Sequence, residues 1–338
     1  EKFLNSDIRS SAAAWLESPH CKIWKKDRTK GLQTPRCNYL QMKIQRVIDE
    51  FEDRNLPVRI LALKPRQRGS TTFLTAQGYA LMRRISTSAV FIGGQSEQTV
   101  GLWNMIKTYK ENDSFDWGNS GQVNEKGAEF SNGSRAKKET AKDVQAGIGD
   151  TYQLLHATEA ARWSRYGVAN ASDVMTNILK AVPLLPKTYI FLETTAEGRS
   201  GDFYERWTGA TDAEKFLEGA QAEFGSFVRV FAPWFEFEDS VIRLSSEQKR
   251  DIQNSIDGDS EYEGEQALIN AYAVIGDDGV QRLGNSVKDY DVWEQLAWRR
   301  YTIRTECKRD KLIFDRDYPH SWQTAFQQSG NQRFGMSV

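Results

Sequence analysis

Lys64, Thr71 and Glu159 have the types and spacing that phosphoryl chemistry would use. Residues Leu61 to Thr72 read Leu-Ala-Leu-Lys-Pro-Arg-Gln-Arg-Gly-Ser-Thr-Thr. A short apolar run, Ile60 to Leu63, ends in a basic loop with one glycine, and two threonines then open a segment of helical spacing. That is the order strand, phosphate loop, helix N-terminus, where backbone N–H groups and the helix dipole favour an anion. The loop departs from G-x-x-x-x-G-K-[ST]: the first glycine is missing and Ser70 stands where the lysine would be. Lys64 stands at the head of the loop instead, from where it could reach the same phosphates from the other side. The plainer account of such a stretch is a surface loop before a helix.

A nucleoside triphosphatase needs a phosphate cradle, a hydroxyl on Mg²⁺, an acid that activates water, and a way to sense the γ-phosphate. The cradle is Lys64 to Gly69, with Arg66, Gln67 and Arg68 inside it and Ser70 following. Thr71 holds the place of the metal-binding hydroxyl, and Thr72 is its neighbouring alternative. The acid must lie at the C-terminal end of a nearby parallel strand, because ligands bind at that edge. Tyr152 to Ala157 supplies the strand, followed by Thr158 and Glu159. Glu159 is the candidate for polarising the attacking water; the competing role is a first-turn acid at a helix start. Thr158 stands where an aspartate usually holds Mg²⁺ through water. Its hydroxyl can bond a metal-bound water but brings no charge, so the metal site should be weak without nucleotide. A third strand ends in Glu193-Thr194-Thr195-Ala196-Glu197-Gly198. Thr194 and Thr195 could relay whether the γ-phosphate is present, or simply serve the turn before Gly198. His156 reads as a satisfied buried histidine, and His20 and His320 are isolated.

The elements that would position these groups alternate. Strands are expected at Arg59–Leu63, Ala89–Ile92, Tyr152–Ala157, Thr188–Leu192 and Phe227–Phe231, and helices at Thr71–Arg84, Glu97–Lys110 and Val168–Ala181. Apolar strands separated by helices imply a parallel sheet covered on both faces. Ala128 to Lys138, with Asn132-Gly133 at its centre, reads as an inserted hairpin. Residues 1–57 form a helical and irregular segment that includes a helix within Ser6–Leu16 and an amphipathic one at Tyr39–Phe51. Residues 58–243 form the core. From about Leu244 strand signals fade into charged helical segments, Ser246–Ser255 and Val292–Arg309, read as a helical subdomain over 244–338.

Composition sets bounds. Apolar residues make up 39% and charged residues 27%, ordinary for a protein with a real core. A net charge of −1 does not advertise nucleic acid binding, so any polyanion contact must come from local basic clusters. Ten tryptophans leave room for aromatic packing or stacking. Cys21, Cys37 and Cys307 are few and unpatterned, which excludes zinc spacing and fits a reducing compartment. No apolar stretch is long enough for a membrane span and no signal peptide is evident. Glu1 in place of a methionine suggests a trimmed or processed piece.

The order of these motifs resembles the ATPase half of viral large terminase subunits, the motors that pump DNA into procapsids. Lys64 to Thr71 looks like the family's variant Walker A, with lysine moved to the loop's head. Asn38-Tyr39-Leu40-Gln41 is similar to its adenine-reading Q motif, and Asn132-Gly133-Ser134 with Thr140-Ala141 to the strand pair before Walker B. Thr158-Glu159-Ala160-Ala161 resembles its Asp-Glu-x-Ala signature. Glu193 to Gly198, with Phe203-Tyr204 and Trp207, looks like the coupling motif, and Tyr318 to Phe326 like the segment that closes the ATPase region.

The resemblance covers roughly residues 35–335 and implies a P-loop ATPase of the additional-strand (ASCE) α/β type, with a mainly parallel sheet and a helical lid. It implies ATP and Mg²⁺ as ligands, Gln41 and the loop through Thr72 as the nucleotide site, and Lys64 or Arg66 on the phosphates. It also implies Glu159 as catalytic glutamate, with Thr194 and Thr195 coupling hydrolysis to motion. Implied partners are double-stranded DNA held weakly and without sequence preference, the portal and procapsid, and the small terminase subunit. The chain would be a monomer alone and a ring when packaging, in the host cytoplasm.

Three departures stand out. The Walker B aspartate is Thr158. The segment Ala146-Gly147-Ile148-Gly149 carries no arginine, leaving Arg135, Arg162 and Arg165 as finger candidates. No cluster of aspartates remains after Phe326 for a nuclease, so no DNA cleavage is expected of this chain. Lys22–Lys30 and Arg299–Lys311 are the basic clusters available to DNA, each equally readable as a solvated face. A helicase-like ATPase is one alternative, which would need a second RecA-like domain. A degenerate P-loop module that only assembles is the other, favoured by Ser70 and Thr158 and opposed by Lys64, Thr71 and Glu159.

Overall fold

The structure is a computed structural model that describes residues 5–25, 28–143 and 149–329. The chain divides into two compact units. The first comprises Glu1–Thr195 and Ser200–Phe231, and the second Ala196–Arg199 and Ala232–Val338.

The first unit opens with α1 (Asn5–Ser10) and α2 (Ala12–Glu17). The single helix expected at 6–16 is broken at Ser11, whose hydroxyl accepts the Ala14 N–H and starts α2 afresh. A small ladder of β1 (Ile23–Trp24) and β2 (Leu32–Gln33) follows, then α3 (Tyr39–Asp53), started by a capping box between Asn38 and Gln41. Next come β3 (Val58–Leu63), α4 (Ser70–Arg84), β4 (Ser88–Gly93) and α5 (Ser96–Asn112). β5 (Gly121–Val123), β6 (Ala128–Phe130) and β7 (Arg135–Thr140) form the inserted antiparallel meander, whose turn lies at Asn132-Gly133 as expected. β8 (Leu154–Thr158), α6 (Ala171–Lys180) and β9 (Tyr189–Thr194) come next, then α7 (Asp202–Gly209), β10 (Thr211–Asp212), α8 (Ala213–Leu217) and β11 (Val228–Phe231).

Nine strands make one sheet in the order β10-β11-β3-β9-β8-β4-β7-β6-β5, parallel from β10 through β7. Along β3 and β9 every residue is buried, as a parallel strand covered on both faces must be. Numbered along the chain, the five main strands stand in the order 5-1-4-3-2. β9 is thereby inserted between the strand that leads into the basic loop and the strand that ends at Thr158. This is the additional-strand α/β arrangement that the family resemblance implied. The N-terminal segment joins this core through Asp113, whose carboxylate accepts Trp15 Nε1, Tyr79 Oη and Trp117 Nε1 at 3.0, 2.8 and 2.7 Å. Trp15, Trp103, Trp163 and Trp207 are fully buried, so these tryptophans are packing.

The second unit holds α9 (Ser246–Asn254), α10 (Glu265–Tyr272), β12 (Ala273–Ile275), β13 (Gln281–Leu283), α11 (Val292–Thr305), α12 (Lys311–Asp317) and α13 (Trp322–Ser329). Val292, Leu296 and Ile303 of α11 pack with Trp234, Phe235, Leu283 and Phe314 as its core. The β12–β13 hairpin is an addition to the expected all-helical subdomain. Its signal is Asp277-Asp278-Gly279 between two short apolar runs, with Gly279 at φ +73°. Among the described residues no helix is long and apolar enough to cross a membrane.

Candidate active site

The site is built at the C-terminal ends of β3, β9 and β8. Register explains why its side chains meet. Ala62 pairs with Glu193 and Leu63 with Thr194 across β3 and β9, while Glu193 pairs with Thr158 across β9 and β8. Paired residues on parallel strands point to the same face, so Glu193 and Thr158 stand side by side.

The loop leaves β3 at Lys64, whose N–H donates to Thr194 O at 3.0 Å. It enters α4 at Gly69, which is left-handed at φ +71° and caps the helix without a side chain. This backbone favours glycine, and a Cβ there would sit 2.9 Å from Gln41 Nε2 and push that side chain aside. Gln41 braces the loop: its amide donates to Gly69 O at 2.9 Å, while Asn38 Nδ2 donates to Arg68 O at 2.8 Å. The Gln41 carbonyl accepts the Asn38 N–H at 2.9 Å, so both ends of the side chain are engaged locally. Arg66 and Gln67 are exposed at the tip, with Gln67 at φ +57°, and Arg68 is buried. Thr72 contributes its carbonyl to Tyr109 Oη at 2.8 Å.

The centre is ionic. The Lys64 ammonium donates to Thr71 Oγ1 at 2.8 Å, lies 3.3 Å from Glu159 Oε1, and pairs tightly with Glu193 Oε2. Glu193 is 0% exposed, Lys64 9% and Glu159 18% by side chain. Thr71 Oγ1 donates to Glu193 Oε1 at 2.8 Å, Thr158 Oγ1 donates to the same oxygen, and Ser70 Oγ lies 3.4 Å from Glu193 Oε2. Burial works against the Lys64 ammonium, but the Glu193 and Glu159 carboxylates outweigh it and hold its pKa above that of an ordinary lysine.

Glu159 follows β8 directly, in the left-handed region at φ +52°. Only a few per cent of non-glycine residues take φ > 0, and such residues gather at functional sites. It stands at the start of the short turn that follows but makes no side-chain hydrogen bond to cap it. Its Oε2 instead accepts Thr195 Oγ1 at 3.1 Å and Thr195 N–H at 3.4 Å. Thr194, 0% exposed, turns its hydroxyl to Thr195 O at 2.7 Å. The two threonines thus separate: Thr195 fixes the carboxylate of Glu159, and Thr194 fixes the strand end. The chain passes to the second unit at the next residue, Ala196.

Sequence reasoning missed Glu193 as a site residue, although it is the most buried acid in the cluster. Its signal was a carboxylate at a strand end that falls in register with Thr158. His156 also departs from expectation. Its Nδ1 lies 3.5 Å from Thr75 Oγ1, but among the described residues its buried Nε2 has no hydrogen-bond partner. Burial, and then the Lys64 charge, lower its pKa to about 3.

The remaining candidates lie elsewhere. Arg135 starts β7, and Arg162 and Arg165 follow Glu159, Arg162 with its guanidinium 5.9 Å from the Tyr166 ring. Of the arginine-free segment 146–149, residues 146–148 lie outside the described residues, as do Lys26 and Asp27 of the basic run Lys22–Lys30. In the basic run Arg299–Lys311, Arg299 and Arg300 turn inward onto Glu265, which removes them from any polyanion surface. A cavity of about 310 Å³ between Glu52, Asn55, Ile85 and Tyr189 lies at the N-terminal edge of the sheet, opposite the edge that carries Lys64 and Glu159.

Comparison with solved structures places this arrangement among known folds. The HK97 bacteriophage large terminase is similar over 81% of this chain and 66% of that chain, at TM-score 0.50 and 13% identity. The large terminase ATPase domain of Thermus phage P74-26 aligns over 59% of this chain and 82% of that chain, at TM-score 0.39 and 15% identity. A large terminase from another thermophilic bacteriophage, solved in complex with ADP, aligns over 67% of this chain and 51% of that chain, at TM-score 0.38 and 11% identity. No protein-family model and no curated protein matches the chain.

Proposed function

We propose that this chain hydrolyses ATP and uses the energy to translocate double-stranded DNA into a viral procapsid, as the motor part of a large terminase. The observation that carries the hydrolytic half is the convergence of Lys64, Thr71 and Glu159 at the C-terminal edge of a 5-1-4-3-2 sheet, behind a glycine-capped helix start. The translocation half is supported by the order of sequence motifs and by the fold shared with the HK97 large terminase.

In this reading the amides after Pro65 and the first turn of α4 receive the β- and γ-phosphates. Lys64 leaves the carboxylates to neutralise them, with Arg66 assisting from the loop tip. Glu159, held by Thr195, orients the attacking water for in-line displacement. Thr195 is the last residue before the second unit, so the hydroxyl that holds the catalytic carboxylate can transmit its position to the chain beyond.

The donor set fits Mg²⁺. It offers the hydroxyls of Thr71 and Thr158 and the carboxylate of Glu193, hard oxygens with the Lys64 ammonium already seated among them. Mg²⁺ is usually shared between one or two carboxylates and substrate phosphates. A closed cage of three acids is therefore unnecessary, and none occurs among the described residues. Bound there, the ion would neutralise charge on the phosphates during transfer.

DNA contact falls to exposed positions such as Lys22, Arg304, Lys308 and Arg309, held through phosphates alone and weakened by salt. The portal, the small subunit and a ring of copies in the host cytoplasm complete the proposed assembly. The test is phosphate release with linear double-stranded DNA. Wild type turns over and Glu159→Ala does not; equal inertness of both at high protein concentration defeats the proposal.

A further inference from the structure

We infer that Glu193 on β9 supplies the metal-side carboxylate of this site, a charge carried over from the end of β8, where only the neutral Thr158 stands. The inference rests on the nucleotide-binding reading above and deepens it.

Three observations carry it. The first is register: Glu193 and Thr158 are direct partners on adjacent parallel strands, so a carboxylate moved from one to the other stays on the same face of the same edge. The second is the hydrogen-bond pattern. The hydroxyls of Thr71 and Thr158 both converge on Glu193 Oε1, which orients the two candidate oxygen ligands about this acid. A cation, the Lys64 ammonium, already pairs with the other oxygen.

The third is the unpartnered nitrogen of His156. Thr75 Oγ1 spends its one hydrogen on Thr71 O at 2.7 Å, so toward His156 it can only accept. The tautomer with its hydrogen on Nδ1 uses that contact, and in it Nε2 presents a lone pair 3.9 Å from Glu193 Oε1. Among the described residues this buried nitrogen has no hydrogen-bond partner, a state that buried polar groups avoid. A water on a metal ion supplies hydrogens in that direction. Glu159 is the wrong acid for this role: it is more exposed, sits on the Thr195 side, and is needed for the nucleophile.

The consequence is that Thr158 costs the enzyme little. Its hydroxyl orients Glu193, while the charge comes from the neighbouring strand. Metal and nucleotide should bind together, since Lys64 must exchange carboxylates for phosphates before the ion can take its place.

The experiment measures ADP and a non-hydrolysable ATP analogue binding to the full chain, with and without Mg²⁺, with Mn²⁺ paramagnetic resonance as a second readout of the ion. In wild type the divalent ion tightens nucleotide binding. Glu193→Gln should lose that tightening by about 10- to 100-fold, the scale on which ligand and near-ligand changes act, while metal-free nucleotide still binds. Thr158→Val, which removes a hydroxyl but no charge, should lose less of the tightening than Glu193→Gln does. Thr158→Asp combined with Glu193→Gln should restore it, because the charge returns to the adjacent strand. Full metal dependence in Glu193→Gln overturns the inference, as does complete loss of that dependence in Thr158→Val, where the charge remains, if Glu193→Gln fails to fold. A wild type that binds no nucleotide would instead defeat the proposed function.

Discussion

The Lys64 cluster of the first unit and the Glu265 cluster of the second are both buried ionic networks, yet they are composed differently. Around Lys64, two carboxylates share one ammonium, and among the described residues the neighbouring His156 Nε2 has no hydrogen-bond partner. Around Glu265, which is 0% exposed, two guanidiniums converge: Arg299 Nη1 donates at 3.3 Å and Arg300 Nε at 3.0 and 3.1 Å. Arg300 also donates to Ser255 Oγ at 2.7 Å, and Asp315 lies close enough to act on Arg299. The second cluster balances its charges and ties α10 to α11. The first is left one positive charge short, at the sheet edge where ligands bind. Burial alone does not separate the proposed working site from the structural one; these two clusters differ in charge balance and in the unpartnered nitrogen.

The largest expected effect tests the working side. Removing the Glu159 carboxylate in Glu159→Ala should lower phosphate release about 10²- to 10⁴-fold, the range of a positioned general base. Lys64 keeps Glu193 as its partner, so urea unfolding should shift little. A large loss of stability together with the activity would place Glu159 with the structural networks and break the contrast.

The second tests the structural side. Glu265→Gln leaves two guanidiniums buried without their acid, a change that costs about 3–5 kcal/mol. The loss should appear in chemical denaturation, while phosphate release per folded molecule stays unchanged at low temperature. Phosphate release that fell in step with Glu159→Ala would mean the two clusters are not separate kinds.

The strands and the edge that carries Lys64 and Glu159 were legible beforehand, and the reason is the period of the chain; the contrast between the two clusters was not. The buried parallel strands announce themselves as apolar runs, and a strand that ends in Thr158-Glu159 or Glu193-Thr194 puts polar groups at one edge wherever the neighbours lie. The sheet order was not legible. It decides that β9, not β8, stands beside β3, and hence that Glu193 meets Lys64. Glu193 read as the start of a coupling motif because a sequence shows which acid ends a strand, not what lies beside it. The basic run Arg299–Lys311 misled in the opposite direction. Its spacing fits a charged surface, but α11 is buried on the face that carries Arg299, and Glu265, far away in sequence, makes that burial tolerable. Long-range pairing of this kind leaves no local pattern.

A smaller effect sharpens the working side. Thr195→Val removes the 3.1 Å hydroxyl bond to Glu159 and leaves only the longer backbone contact. Misplacing a catalytic group without deleting it should reduce kcat about tenfold, roughly the worth of one hydrogen bond to a charged group. KM and stability should barely move. A change confined to KM would show that Thr195 touches substrate instead of positioning the acid.

The smallest effect reads the second unit through His320. Burial, and then the positive charges of Arg299 and Lys311, lower its pKa to about 4 from an ordinary 6.5. The folded chain therefore holds it neutral while the unfolded chain takes up a proton between those values. More protons on the unfolded state mean that stability rises with pH across that window. The contribution is complete above about pH 6.5 and is lost as pH falls toward 4. One pKa unit is about 1.4 kcal/mol, and partial exposure reduces the whole to about 1–2 kcal/mol. Denaturation of His320→Asn between pH 4 and 7 should show a slope flatter by that amount. Arg299→Met in the otherwise wild-type chain should flatten the slope less than His320→Asn does, because the guanidinium is a lesser cause than burial and Glu265 already faces it. If Arg299→Met alone removed the slope, the Glu265 cluster would be projecting unbalanced positive charge, and the two networks would differ in sign instead of in completeness.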